Sequence, residues 1–150
     1  MIDELSSWLD TDAILFFAPE GQAHGRLLQM QKEEWGPLVK WAKETLDVEI
    51  YERSGEVGIG QFSKQPEETK KRFREWMDTL DPFELSAFER CAMTTKSVLL
   101  ATRLVMEYIS PEKCERRYGV EGIAHLASLE VRFQTQMWGE VEDSEPPPCS

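Results

Sequence analysis

Cysteine, histidine and basic residues are scarce in this chain. Three cysteines, Cys91, Cys114 and Cys149, with no Cys-x-x-Cys spacing, exclude a disulfide framework and a thiolate zinc site as organising devices. The two histidines, His24 and His125, form no His-Glu-x-x-His pair, and no nucleophile elbow accompanies them. Each is expected to cap, pack or face solvent. The glycines Gly55, Gly58 and Gly60 run G-x-x-G-x-G without a Gly-Lys-Ser/Thr ending, so a phosphate loop is not expected there.

Lys and Arg number 17 against 28 Asp and Glu, a formal net charge of -11. A nucleic acid or an anionic membrane would meet repulsion instead of releasing counterions. The most apolar stretch, Ala92 to Ile109, is interrupted by Lys96, Arg103 and Glu107, and each is expensive at a bilayer centre. It reads as a core helix. The opening M-I-D-E-L-S-S-W is acidic and short of Arg, unlike a transit peptide or a secretory signal. These absences leave no expected cofactor, no metal, no nucleic-acid partner, no membrane partner and no local catalytic signature.

What is present suits one helical domain. The 150 residues are 41% hydrophobic, with five Trp and seven Phe, enough to bury a core. Ile2, Leu5, Trp8 and Leu9 line a short first helix, stopped by Asp10-Thr11-Asp12, whose aspartates are turn and cap residues. Ala13 to Ala18 is predicted as a short strand ended by Pro19. From Glu20 a helical pattern places Leu27, Leu28, Gln31 and Trp35 near one face until Gly36-Pro37 interrupts it. A second helix, Leu38 to Leu46, turns Leu38, Trp41 and Ala42 inward.

Val48 to Tyr51 alternates as a half-buried strand and could pair in parallel with Ala13 to Ala18 across that helical crossover. A flexible Gly-rich loop is expected over 54–65. Pro66, Glu67 and Glu68 then start a helix with core residues Phe73, Trp76, Met77 and Leu80. Lys70, Lys71, Arg72 and Arg74 read as its solvated face. Asp81-Pro82, with Glu84 completing a capping box, opens the longest helix, Phe83 to about Tyr108. A short helix follows at Ser110-Pro111-Glu112, and Tyr118-Gly119 breaks it before a final helix from near Val120. Residues 144–150, S-E-P-P-P-C-S, are expected to be disordered.

The final run is the most informative. Leu126, Phe133, Met137 and Val141 recur at helical spacing, and Glu130 and Gln134 share that stripe. A carboxylate and an amide there need buried partners or a groove that something else fills. Lys96 is the candidate partner of Glu130, in a pair that would set which helix faces which; a snorkelling Lys96 is the alternative.

Taken together, Asp10-Thr11-Asp12 with the aromatic strand, Gln31 with E-W-G-P-L-V-K-W (34–41), Lys96-Ser97, and L-E-x-x-F-Q-x-x-x-W-G-E-V-E (129–142) resemble the ATP synthase assembly factor 2 family. The likeness is to its C-terminal part and covers roughly residues 2–143. It implies a client-binding domain without the family's strand-rich N-terminal domain. It further implies a cofactor-free chaperone that holds unassembled ATP synthase alpha subunit until the beta subunit displaces it, in the mitochondrial matrix or a bacterial cytoplasm. Glu130, Gln134, Trp138 and Glu142, with Lys96 behind them, are the candidate client-binding residues or their support. The expected fold is mainly α, an orthogonal bundle of about five or six helices with a small two-stranded β element, expected to be monomeric. The competing readings are a helical scaffold without a specific client and a small enzyme built on carboxylates around Glu130.

Overall fold

A short amphipathic helix, α1 (Ile2–Ser7), tightens into a 3-10 turn over Trp8–Thr11 and stops at Asp12, whose backbone is extended. The computed structural model describes residues 1–54 and 64–144, without the side chains of Gln22, Ser54 and 140–144. Within it Asp12 is fully buried. One carboxylate oxygen accepts from Ile14 N at 3.2 Å and the other from Leu99 N at 2.9 Å. The expected cap is there, and it also caps a helix far along the chain.

Because Asp12 captures the Ile14 amide, Ala13–Leu15 closes into a 3-10 turn and only Phe16–Phe17 (β1) remains extended. This shortens the expected Ala13–Ala18 strand. Its parallel partner is β2 (Arg53–Ser54), in register Phe16↔Arg53. Parallel pairing was expected, but at Val48–Tyr51. There the Gln65 side chain takes the backbone instead, accepting from Tyr51 N at 2.8 Å and donating to Tyr51 O at 2.9 Å. Gln65 is therefore buried, although it closes the expected loop; residues 55–63 of that loop lie outside the described residues.

Between the strands runs α2 (Arg26–Leu46), unbroken through Gly36-Pro37. An interior proline typically costs about 3 kcal/mol. Burial of Leu27, Gln31 and Trp35 before it and of Leu38, Val39 and Ala42 after it holds the two halves in line. The sequence expectation of two helices is corrected accordingly.

Helix α3 (Glu67–Asp78) starts as expected and buries Phe73 and Met77. Lys70 corrects the solvated-face reading. It is 6% exposed, and its ammonium lies 2.7 Å from Asp10 Oδ2, while Asp10 Oδ1 accepts from Gln65 N at 2.7 Å. Removing Lys70 leaves the half-buried Asp10 carboxylate without its cation. Lys70→Ala should therefore cost about 2 kcal/mol in urea unfolding, whereas Lys71→Ala, on the exposed side, should change stability by under about 0.5 kcal/mol.

The expected capping box of Asp81 and Glu84 opens α4 (Pro82–Thr95). The long helix does not continue to Tyr108. Lys96 adopts a left-handed conformation (φ 60°), and α5 (Val98–Ile109) begins afresh. Ser97 Oγ accepts from Leu100 N at 3.1 Å, and Asp12 accepts from Leu99 N, so this restart has its first amides satisfied. The chain turns back there and α4 packs along α5.

The final run likewise divides, into α6 (Gly119–Ala127) and α7 (Leu129–Ser144), with the junction at Ser128. Seven α-helices are thus found among the described residues, and the fold is mainly α. Helix α5 is its centre, burying Val98 to Arg103 and Val105 to Glu107 against α4, α2 and α6, while α2 in turn carries α7.

Candidate functional site

Helix α7 is seated by Leu129, Phe133 and half-buried Met137, at i, i+4 and i+8. This phase turns Glu130 and Gln134 outward, and both are exposed. The sequence reading named Leu126, Phe133 and Met137 as inward, as found, but its placing of Glu130 and Gln134 on the same stripe is corrected. Trp138, 73% exposed, and Val131, 64% exposed, share the outward face. They lie about 10 Å apart along the axis, with Gln134 between them. Glu142 belongs to α7, but its side chain lies outside the described residues.

The base of this face is built from α2. Gln31 is 1% exposed; its Oε1 accepts from Ala18 N at 2.7 Å and its Nε2 donates to Glu130 Oε1 at 3.4 Å. The amide thus links the end of β1 to the first turn of α7, where a carboxylate also meets the positive end of the helix dipole. Trp35, four residues on, donates from Nε1 to Leu126 O at 2.9 Å and packs edge-on against Phe17. Gln31 was visible in sequence as an amide on an apolar stripe. Its bond to Glu130 needed the fold.

Arg132 was not singled out in the sequence. Its guanidinium donates to Glu34 Oε1 at 2.8 Å and, through Nε and a terminal nitrogen, to His125 O. It therefore caps the end of α6 and ties that end to α2, fixing the α6–α7 corner. His125 Nε2 lies 3.7 Å from the same Glu34 carboxylate. Arg26 reaches Met137 Sδ at 3.1 Å from the start of α2.

Lys96 is exposed at the α4–α5 corner, where its carbonyl accepts from Ala13 N at 3.0 Å. Among the described residues no ion pair joins it to Glu130, so the expected interhelical pair is corrected. The four α7 positions form one helix; Lys96 stands apart from them because the turn at Ser97 carries it away.

A groove of about 750 Å³ runs beside α7's base, between α2 and the segment leading into α6. Its walls mix Glu33, Glu44 and Glu115 with Lys40, Lys113 and Arg116. Arg103 is clasped there between the Trp41 and Tyr118 rings at 4.7 and 5.0 Å. Glu130 does not line it. The carboxyl pushed upward by burial is that of Asp12, to about 6, and it is spent on capping backbone amides. No group of metal-binding side chains occurs among the described residues.

Fold and site together define a mainly α protein whose candidate site is an exposed helix face braced from beneath. The chain is similar to Atp12 proteins: it is 36% identical over 141 residues to the protein atp12, mitochondrial, of Schizosaccharomyces pombe, covering 94% of this chain and 45% of that protein. It is 27% identical over 151 residues to the protein ATP12, mitochondrial, of Saccharomyces cerevisiae, covering 95% of this chain and 46% of that one. The chain thus spans about half the length of these curated relatives. In fold it is similar to a variant of Atp12p from Paracoccus denitrificans, with a TM-score of 0.74 and 23% identity over 95% of this chain and 55% of that one. No family model matches the chain.

Proposed function

We propose that this chain is the client-holding part of an ATP synthase assembly chaperone, which covers a surface of the unassembled alpha subunit until the beta subunit replaces it. Similarity to the Atp12 proteins supports the assembly role, and the mitochondrial relatives support action in the mitochondrial matrix. Among the described residues no helix is long and apolar enough to cross a membrane. The observation that carries the site assignment is the outward face of α7. An indole left 73% exposed on a helix whose other side is buried is the kind of anchor that dominates protein interfaces.

Val131 and Trp138 supply apolar area, and Gln134 supplies an amide between them. Glu130, held by Gln31, supplies a carboxylate at the edge. Such a face binds by shape and burial, with the charge adding selectivity and steering. Catalysis has less support: the carboxylates that border the groove are balanced by cations, and Glu130 faces open surface. The protein would act as a monomer, each copy covering one client.

Light-scattering chromatography of this chain with isolated alpha subunit should give a one-to-one complex that added beta subunit dissolves. Trp138→Ala should weaken that complex by about 30-fold, the equivalent of about 2 kcal/mol, without changing the unfolding midpoint. Equal affinity of Trp138→Ala and the parent chain would remove the α7 face from the client site. No complex from folded chain would remove the client assignment altogether.

A further inference from the structure

The start of α2 departs from what its own residues favour. The sequence pattern is helical from Glu20, yet the right-handed helix begins only at Arg26. Between them Ala23 (φ 53°, ψ 35°) and His24 (φ 57°, ψ 32°) are left-handed, and Gly25 follows at φ 77°. L-residues visit this region singly, because Cβ crowds the following carbonyl, and alanine has no side-chain bond to offset the crowding. Alanine is also the best right-handed helix former. A local preference overruled in this way marks a strained segment.

The strain has a release. No side chain caps α2, and its first turn holds no acid. Turning Ala23, His24 and Gly25 right-handed would bond the amides of Leu27 and Leu28 to the carbonyls of Ala23 and His24. The chain is long enough for this. Ala18 is tied to the Gln31 side chain, and the path from Ala18 to Ala23 reaches about 17 Å when extended. A lengthened α2 would place Ala23 about 12 Å from Gln31 along its axis. Opposing the release are the packing of half-buried Ala23 against the core and the bond from Arg26 N to Ala23 O.

Helix α7 lies where the added turn would go. It runs antiparallel to α2: Trp35 meets Leu126 just ahead of it, Gln31 meets Glu130, and Arg26 meets Met137. From Trp138 to Ser144, about 10 Å, it continues past the first residue of α2. On a lengthened α2, Ala23 stands one turn before buried Leu27 and on the same face, level with the turn of α7 that follows Met137.

We infer that Ala23, His24 and Gly25 form a two-state hinge. It is left-handed in this structure, and right-handed in a second state that lengthens α2 by about one turn and props the end of α7 that carries Trp138. The hinge sets how firmly that end of the outward face is held. Its effect on client binding rests on the α7 assignment; the equilibrium itself does not.

The equilibrium is read in the full chain without client. The probes are the φ-dependent three-bond couplings between amide and Hα protons of Ala23 and His24, and the indole resonance of Trp138, identified by its loss in Trp138→Phe. Gly25→Ala disfavours the left-handed state, where the added Cβ lies 3.4 Å from Glu20 O, and favours the helical one. It should raise the ratio of right-handed to left-handed chains about 30-fold. The couplings should then fall toward helical values, and the Trp138 indole should move with them. Ala23→Gly should shift the ratio equally far the other way, so that exchange broadening of the Trp138 indole falls about 30-fold from its level in the parent chain.

Couplings that keep their left-handed values in Gly25→Ala overturn the hinge and make the turn a fixed element. So does Trp138 broadening that is absent from the parent or undiminished in Ala23→Gly, a measurement that stands even where Gly25→Ala does not fold. A turn that becomes helical while the Trp138 indole stays in place overturns its link to α7. None of these outcomes touches the alpha-subunit experiment, so the two readings fail separately.

Discussion

Measured near pH 4, replacing Asp12 with alanine is expected to cost about 3 kcal/mol and to shift the urea midpoint by more than any other single polar substitution. The carboxylate accepts from two buried backbone amides, Ile14 N and Leu99 N, and is itself fully buried. Alanine leaves both amides without an acceptor. It also frees the start of α5, the helix at the centre of the core. A cost below about 1 kcal/mol would mean that water or a neighbouring group replaces the carboxylate.

The same residue sets a pH dependence with a defined sign. Burial raises its pKa from 3.8 to about 6, against the opposing effect of its hydrogen bonds. Between these values the folded chain keeps a proton that the unfolded chain has released. The contribution of Asp12 is thus fully present below about pH 4 and is lost as pH rises through 6, by about 3 kcal/mol in all. Asp12→Asn removes this titration. The stability difference between parent and Asp12→Asn should therefore change by about that amount between pH 4 and 7.5, always against the parent at the higher pH. A difference independent of pH would show that the carboxyl is ordinary.

Trp35→Ala should be the most damaging substitution in the core, at about 4 kcal/mol or more. The indole is 2% exposed. It packs edge-on to Phe17 of β1 and donates to Leu126 O at the end of α6. One side chain therefore joins the strand, the long helix and the corner from which α7 departs. Trp35→Phe keeps most of the apolar volume and loses the buried indole donor to Leu126 O, and should cost about 1 kcal/mol. Its effect should extend to the candidate site: the α7 amides should exchange with solvent faster relative to those of α3. Uniform exchange changes across both helices would show that Trp35 stabilises the fold without specifically bracing α7.

Much of this architecture was legible from local chemistry. The proline and acids before α3, the Asp81–Glu84 capping box and the apolar spacing of Phe73 and Met77 are signals read within one or two turns. The family motifs were legible for the same reason, since they are fixed residues at short spacings. The sequence reading placed Phe133 and Met137 on the inward stripe, where they are, and also placed Glu130 and Gln134 there, where they are not. Glu130 and Gln134 recur at the same interval as Leu126, so periodicity could not say which stripe lies inward; the burial of Leu129 and Phe133 decides it.

The sequence by itself determined a mainly helical chain, most helix starts, the absence of a bilayer-spanning run and the resemblance to one family. The tertiary structure alone decided where the longest apolar run turns back, because Leu99 finds its cap in Asp12, 87 residues away. It decided that Lys70 is inside, because Asp10 arrives from another element to meet it. It also aimed Glu130, through a buried amide on α2. Helical periodicity and caps act between neighbours in the chain, whereas a buried charge or a helix break depends on which distant donor or acceptor the fold delivers to it.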